Sequence, residues 1–117
     1  MTIKRNQFYM VMVLASLLFY FSSTVMAGQF EGTWLLDDTS GQPFEATFSK
    51  DGKASGTHGD AMKYGTWKDE NGVAVIHWTT GWTTRIEKKG DHYVKTAFKP
   101  GTSMTDTPTN TSSAVKK

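Results

Sequence analysis

The chain has 117 residues, 38% of them apolar and 21% charged, with 11 Gly, 3 Pro and no Cys. That composition bounds it to one domain and excludes a disulfide scaffold, a thiolate metal site, a cysteine nucleophile and a lipid anchor on cysteine. Its 13 basic residues outnumber its 11 acids, but Lys4 and Arg5 precede every acid, so the chain from Gly28 onward is formally neutral. A neutral body argues against nucleic acid as a partner.

Residues 1–27 have the three parts of a secretory signal: basic Lys4 and Arg5, the greasy run Phe8 to Phe21, then Ser22-Ser23-Thr24 leading to Val25-Met26-Ala27. Small side chains at Val25 and Ala27 fit cleavage before Gly28, which places the mature chain in the periplasm or outside the cell. The competing reading is a retained anchor, since Phe8 to Ala27 carries no charge over about the length that spans a bilayer. Decay of the apolar run into Ser and Thr favours cleavage, after which no stable membrane insertion is expected.

From Gly28 to Lys99 the pattern is period-2 alternation broken by turns, with no 3.6-residue stripe long enough for a helix. Phe30 to Leu36 and Phe44 to Ser49 read as strands separated by the polar turn Asp37 to Gly41. Lys50-Asp51-Gly52-Lys53 then turns the chain into a short strand, Ala54 to Thr57, and His58 to Met62 reads as a loop. Tyr64 to Lys68 and Val73 to Trp78 form a hairpin across Asn71-Gly72. Trp82 to Glu87 and His92 to Phe98 complete seven strands. Tight turns without long crossovers predict an all-β fold, a single antiparallel meander forming a small barrel or a strongly curved sheet. Pro100 to Lys117 holds eight Ser or Thr and few apolar residues, so residues 100–117 read as a disordered tail and Asn110-Thr111-Ser112 as plain polar sequence.

A faint echo places Gly32-Thr33-Trp34 and Gly65-Thr66-Trp67 at the head of two similar three-strand units. So small a body without disulfides needs dense apolar burial. Ten rings are available for it: Trp34, Trp67, Trp78, Trp82, Phe30, Phe44, Phe48, Phe98, Tyr64 and Tyr93. Leu36, Val73, Val75, Ile76, Ile86 and Val94 complete the predicted core. Association through a sheet edge would add burial, so a homodimer is compatible with the sequence.

Chemistry-bearing residues are sparse. His58 and Asp60 share a loop and suggest a general base or half a metal site, but His77 and His92 lie on other strands without metal-ligand spacing. Asp37-Asp38 and Asp69-Glu70 fall in turns, where Asp serves its own backbone. No nucleophile elbow or phosphate-cradling glycine loop occurs, so no catalytic residue, metal or cofactor is assigned and the protein is not expected to be an enzyme. Trp78 and Trp82 flank one turn at a spacing that could seat a sugar ring or another flat ligand, and with Tyr64 they are the candidate ligand-binding residues.

The Gly32-Thr33-Trp34 opening followed by a meander resembles the start of lipocalin-like (calycin-type) domains, whose Gly-x-Trp plugs one end of a barrel. The run from Gly65-Thr66-Trp67-Lys68 through Val75-Ile76-His77-Trp78 to Pro108-Thr109-Asn110-Thr111 also resembles a group of small exported bacterial proteins. With so few residues, a barrel interior filled by Trp and Phe is expected rather than a deep lipid pocket. The functional expectation is an exported, non-enzymatic binding module for a small molecule or envelope glycan. Alternatives are a periplasmic interaction or inhibitor subunit acting through a sheet edge or the 58–62 loop, and a hydrolase using His58 and Asp60.

Overall fold

The computed structural model describes residues 28–117; the secretory signal inferred at residues 1–27 lies outside the described residues. Eight antiparallel strands follow one another around a closed barrel. They are β1 (Gly32–Asp37), β2 (Pro43–Phe48), β3 (Lys53–His58), β4 (Ala61–Glu70), β5 (Val73–Trp78), β6 (Thr83–Lys89), β7 (His92–Phe98) and β8 (Asn110–Lys116). The all-β meander expected from alternation is therefore present, and it closes.

Closure corrects two expectations. The segment from Pro100 onward is not a disordered tail: its second half is β8, which pairs with β7 from Tyr93↔Ala114 to Ala97↔Asn110 and with β1 through Trp34↔Lys116, Leu35↔Val115 and Leu36↔Ala114. Composition hid this strand because Ala114 is its one buried side chain. Its contribution is the main-chain ladder that satisfies the outer edges of β1 and β7, and a closed barrel leaves no edge. The connection before it is ordered by its own bonds, with Ser103 N donating to Asp106 Oδ2 at 2.8 Å and Thr109 N donating to Ala97 O at 2.8 Å. The second correction concerns His58 to Met62. His58 and Ala61 are paired, so the expected loop is a two-residue turn at Gly59-Asp60.

One end of the barrel is plugged by rings. Trp34 is fully buried, and its indole donates to the Phe30 carbonyl at 2.9 Å. Its ring stands edge-on to Tyr93 with centroids 4.9 Å apart, and Phe30 packs 6.0 Å from it. The second copy of the echo behaves alike: Trp67 donates its indole N–H to the Ser49 carbonyl at 2.7 Å and packs 5.6 Å from Phe48. Both indoles thus bring an apolar body into the interior while their one polar atom stays satisfied. The two glycines of the echo serve different needs. Gly32 has φ 119°, which a side chain resists, whereas a Cβ on Gly65 would meet the His77 carbonyl oxygen at 2.3 Å. Gly65 therefore permits the close approach of β4 to β5 beside Trp78, its register partner.

Leu36, Phe44, Ala46, Ala54, Ala74, Ile76 and Ile86 fill the middle, with Trp82 and Tyr93 partly buried against them. Tyr64 does not join this core. It is 58% exposed on the outer wall, because Lys63, Gly65 and Trp67 occupy the inward phase of β4.

Candidate functional site

The end of the barrel opposite the Trp34 plug carries a cavity of about 260 Å³. Both tryptophans singled out in the sequence line it. They flank the Thr79-Thr80-Gly81 turn, where Trp78 N donates to Trp82 O at 2.9 Å and Gly81 N to Trp78 O at 2.9 Å. Trp78 is buried, and its indole donates to Thr84 Oγ1 at 2.9 Å; Trp82 is half-buried. The pair therefore closes the core and walls the cavity at once.

Tyr64 is not brought to them. Its ring lies on the outer face, and its link to the site is through its backbone carbonyl, which accepts from Thr79 N at 2.8 Å and so supports the turn between the indoles.

Phe44 of β2, expected in the core, joins these walls, together with three residues that sequence reasoning passed over: Lys63 of β4, Thr84 of β6 and Lys95 of β7. Lys95 is 2% exposed. Its ammonium donates to the Asp37 carbonyl and to Asn110 Oδ1, the latter at 3.1 Å, which joins β7 to the ends of β1 and β8. The Lys63 ammonium lies 4.2 Å from the Phe44 ring centroid and 4.7 Å from that of Trp78, an arrangement in which aromatic faces attract a cation. Lys95 approaches the same Phe44 ring at 5.9 Å. Burial pulls the Lys63 ammonium below the ordinary lysine range, against the attraction of Asp38. Burial, reinforced by the Lys63 charge, lowers Lys95 to about 8, while Asp38 and Asp37 oppose the shift. A signal for both lysines existed in the alternation: Lys63 is in phase with Gly65 and Trp67, and Lys95 with Tyr93 and Ala97.

Asp38 sits at the cavity mouth as a loop organiser. Its Oδ1 accepts from Ser40 Oγ at 2.7 Å, Ser40 N at 2.8 Å and Gln42 N at 2.9 Å, while Oδ2 pairs with His58 Nε2. The Ser40 hydroxyl foremost, with the Gln42 and Ser40 amides and His58, holds this carboxyl well below the usual carboxylate range. His58 is thus partnered by Asp38, on the facing loop, and no bond joins it to Asp60 among the described residues. A second recess of about 350 Å³, lined by His58, Ala61 and Met62, shares Asp38, Lys63 and Thr80 with the first. His77 lies 3.4 Å from Thr83 Oγ1, and His92 lies beside Asp91, so the three histidines stay apart. Among the described residues there is no cluster of three or more His, Asp or Glu arranged to hold a metal.

The arrangement can enclose a small flat body between indole and phenyl walls and offer it hydroxyl and ammonium donors. No family model, no curated protein and no solved structure matches this chain.

Proposed function

We propose that this protein is an exported binding module, without catalytic activity, that holds a small molecule at the open end of its barrel. The observation that carries this reading is that Trp78 and Trp82 wall one cavity at the end left open by the Trp34 plug. Indoles fixed by hairpin bonds supply contact area with little ordering cost on binding. A plug built around Gly32-Thr33-Trp34 at the other end supports the lipocalin-like reading of the sequence. His58 and Asp38 use their bonding capacity on the mouth loop, which favours a binding role over hydrolysis.

Pairing of every described strand on both sides favours ligand binding over an interaction through a sheet edge. Binding is tested by following tryptophan emission during titration with envelope sugars and small aromatic compounds. A saturable shift that Trp82→Ala abolishes supports the proposal; no response to any of them overturns it. Export is tested by the mass of the protein recovered from the periplasm, which should correspond to a chain beginning at Gly28.

A further inference from the structure

Resting on the reading that the open-end cavity takes a ligand, we propose that this ligand is a small organic anion: a carboxylate on a flat apolar body, held by Lys63 and Lys95. An ammonium carries three N–H donors and no acceptor. Lys95 gives two of its donors to Asp37 O and Asn110 Oδ1, and one remains. Lys63 has no carboxylate or carbonyl partner among the described residues; the Phe44 and Trp78 rings steady its charge without accepting in the plane of a hydrogen bond. A partly buried cation in that state is short of an acceptor, and an incoming carboxylate supplies one.

The surrounding charges favour the same sign. Asp38 is the carboxylate that lines the cavity, but its two oxygens already serve Ser40, Gln42 and His58. Two ammonium groups therefore face one occupied carboxylate, so a cationic ligand is opposed, and a neutral sugar can accept from Lys63 but leaves its charge without a counter-charge. Thr84 adds a hydroxyl whose oxygen accepts from the Trp78 indole, which leaves its own hydrogen to be donated. The cavity, at about 260 Å³, suits one or two fused rings better than a long acyl chain.

Calorimetric titration of the protein near neutral pH with naphthalene-2-carboxylate, naphthalene-2-carboxamide and 2-naphthylmethylammonium tests this, with the indole N–H resonances recorded in parallel. The carboxylate should bind at least about tenfold more tightly than the carboxamide, and the ammonium weakest. Lys63→Met, checked for an unchanged melting curve, should weaken the carboxylate far more than the carboxamide and so remove most of the difference between them. In the unmodified protein the advantage of the carboxylate should shrink as the pH rises through about 8, where Lys95 loses its proton, a readout that holds even where the variant does not fold. Equal affinity for carboxylate and carboxamide, a preference for the ammonium, or an advantage that does not change with pH overturns the anion proposal while the cavity remains a binding site. Failure of all three probes to bind, with no movement of the indole resonances, overturns the anion proposal, and the binding reading falls with it only when envelope sugars also leave the indoles unmoved.

Discussion

The Lys95 ammonium donates to the backbone carbonyl of Asp37, so a nearly fully buried cation on β7 is tied to the last residue of β1 across the intervening β8. The groups that face it are Lys63 from β4, which opposes its charge, and Asp37 and Asp38 from β1 and the loop beyond, which favour it. In the folded protein Lys95 releases its proton near pH 8, whereas the unfolded chain holds that proton to about 10.5. Between those values the unfolded state binds more protons, so raising the pH favours folding. Urea denaturation should therefore show stability growing by up to about 3 kcal/mol over that window relative to Lys95→Met, in which the term is absent. Parallel pH curves for the two proteins would contradict it.

Gly65 is the second point of tension. An added Cβ would lie 2.3 Å from a backbone oxygen of β5, so β4 and β5 must separate next to Trp78. Gly65→Ala should cost about 3 kcal/mol or more in denaturant unfolding. Gly59→Ala meets no neighbour and carries only the strain of φ 61°, about 1–2 kcal/mol. The order of the two losses is the check.

Removal of residues 110–117 should unmake the barrel. It frees the edges of β1 and β7, which β8 covers, and takes away the Asn110 contact to Lys95. Size-exclusion chromatography should show aggregation or loss of the folded species, and circular dichroism a loss of sheet. Unchanged behaviour would mean that the last segment is dispensable to the fold.

Asp38 governs the mouth. Its carboxylate is held far below the ordinary range, so its stabilising role is complete above that ordinary value and is lost only as pH falls through the lower, folded one. Across neutral pH its effect is constant. Asp38→Ala should speed amide exchange at Ser40 and Gln42, whose N–H groups it accepts at 2.8 and 2.9 Å, and leave the Trp34 end protected.

Much of this architecture was legible in the sequence because alternation and turn chemistry report directly on strands. Asn71-Gly72 reads as a hairpin turn and forms one, with φ 56° and 87°. The four indoles fell into their roles less evenly. Trp34 and Trp67 are buried as expected, and Trp78 and Trp82 share a cavity, but Tyr64 sits one residue out of phase and faces solvent. What stayed hidden was whatever contributes through backbone or long-range convergence. β8 buries a single alanine and offers mainly hydrogen bonds, so a hydropathy argument passes it by. Lys63 and Lys95 come from strands more than 30 positions apart, and only barrel closure brings both to the Phe44 ring.

The most direct test is a two-dimensional proton–nitrogen spectrum of the four indole N–H groups during titration with naphthalene-2-carboxylate. The account predicts saturable shifts at Trp78 and Trp82 with Trp34 and Trp67 unmoved, since the latter pair faces the plugged end. Shifts confined to Trp34 and Trp67, or no shift at any indole, would contradict it.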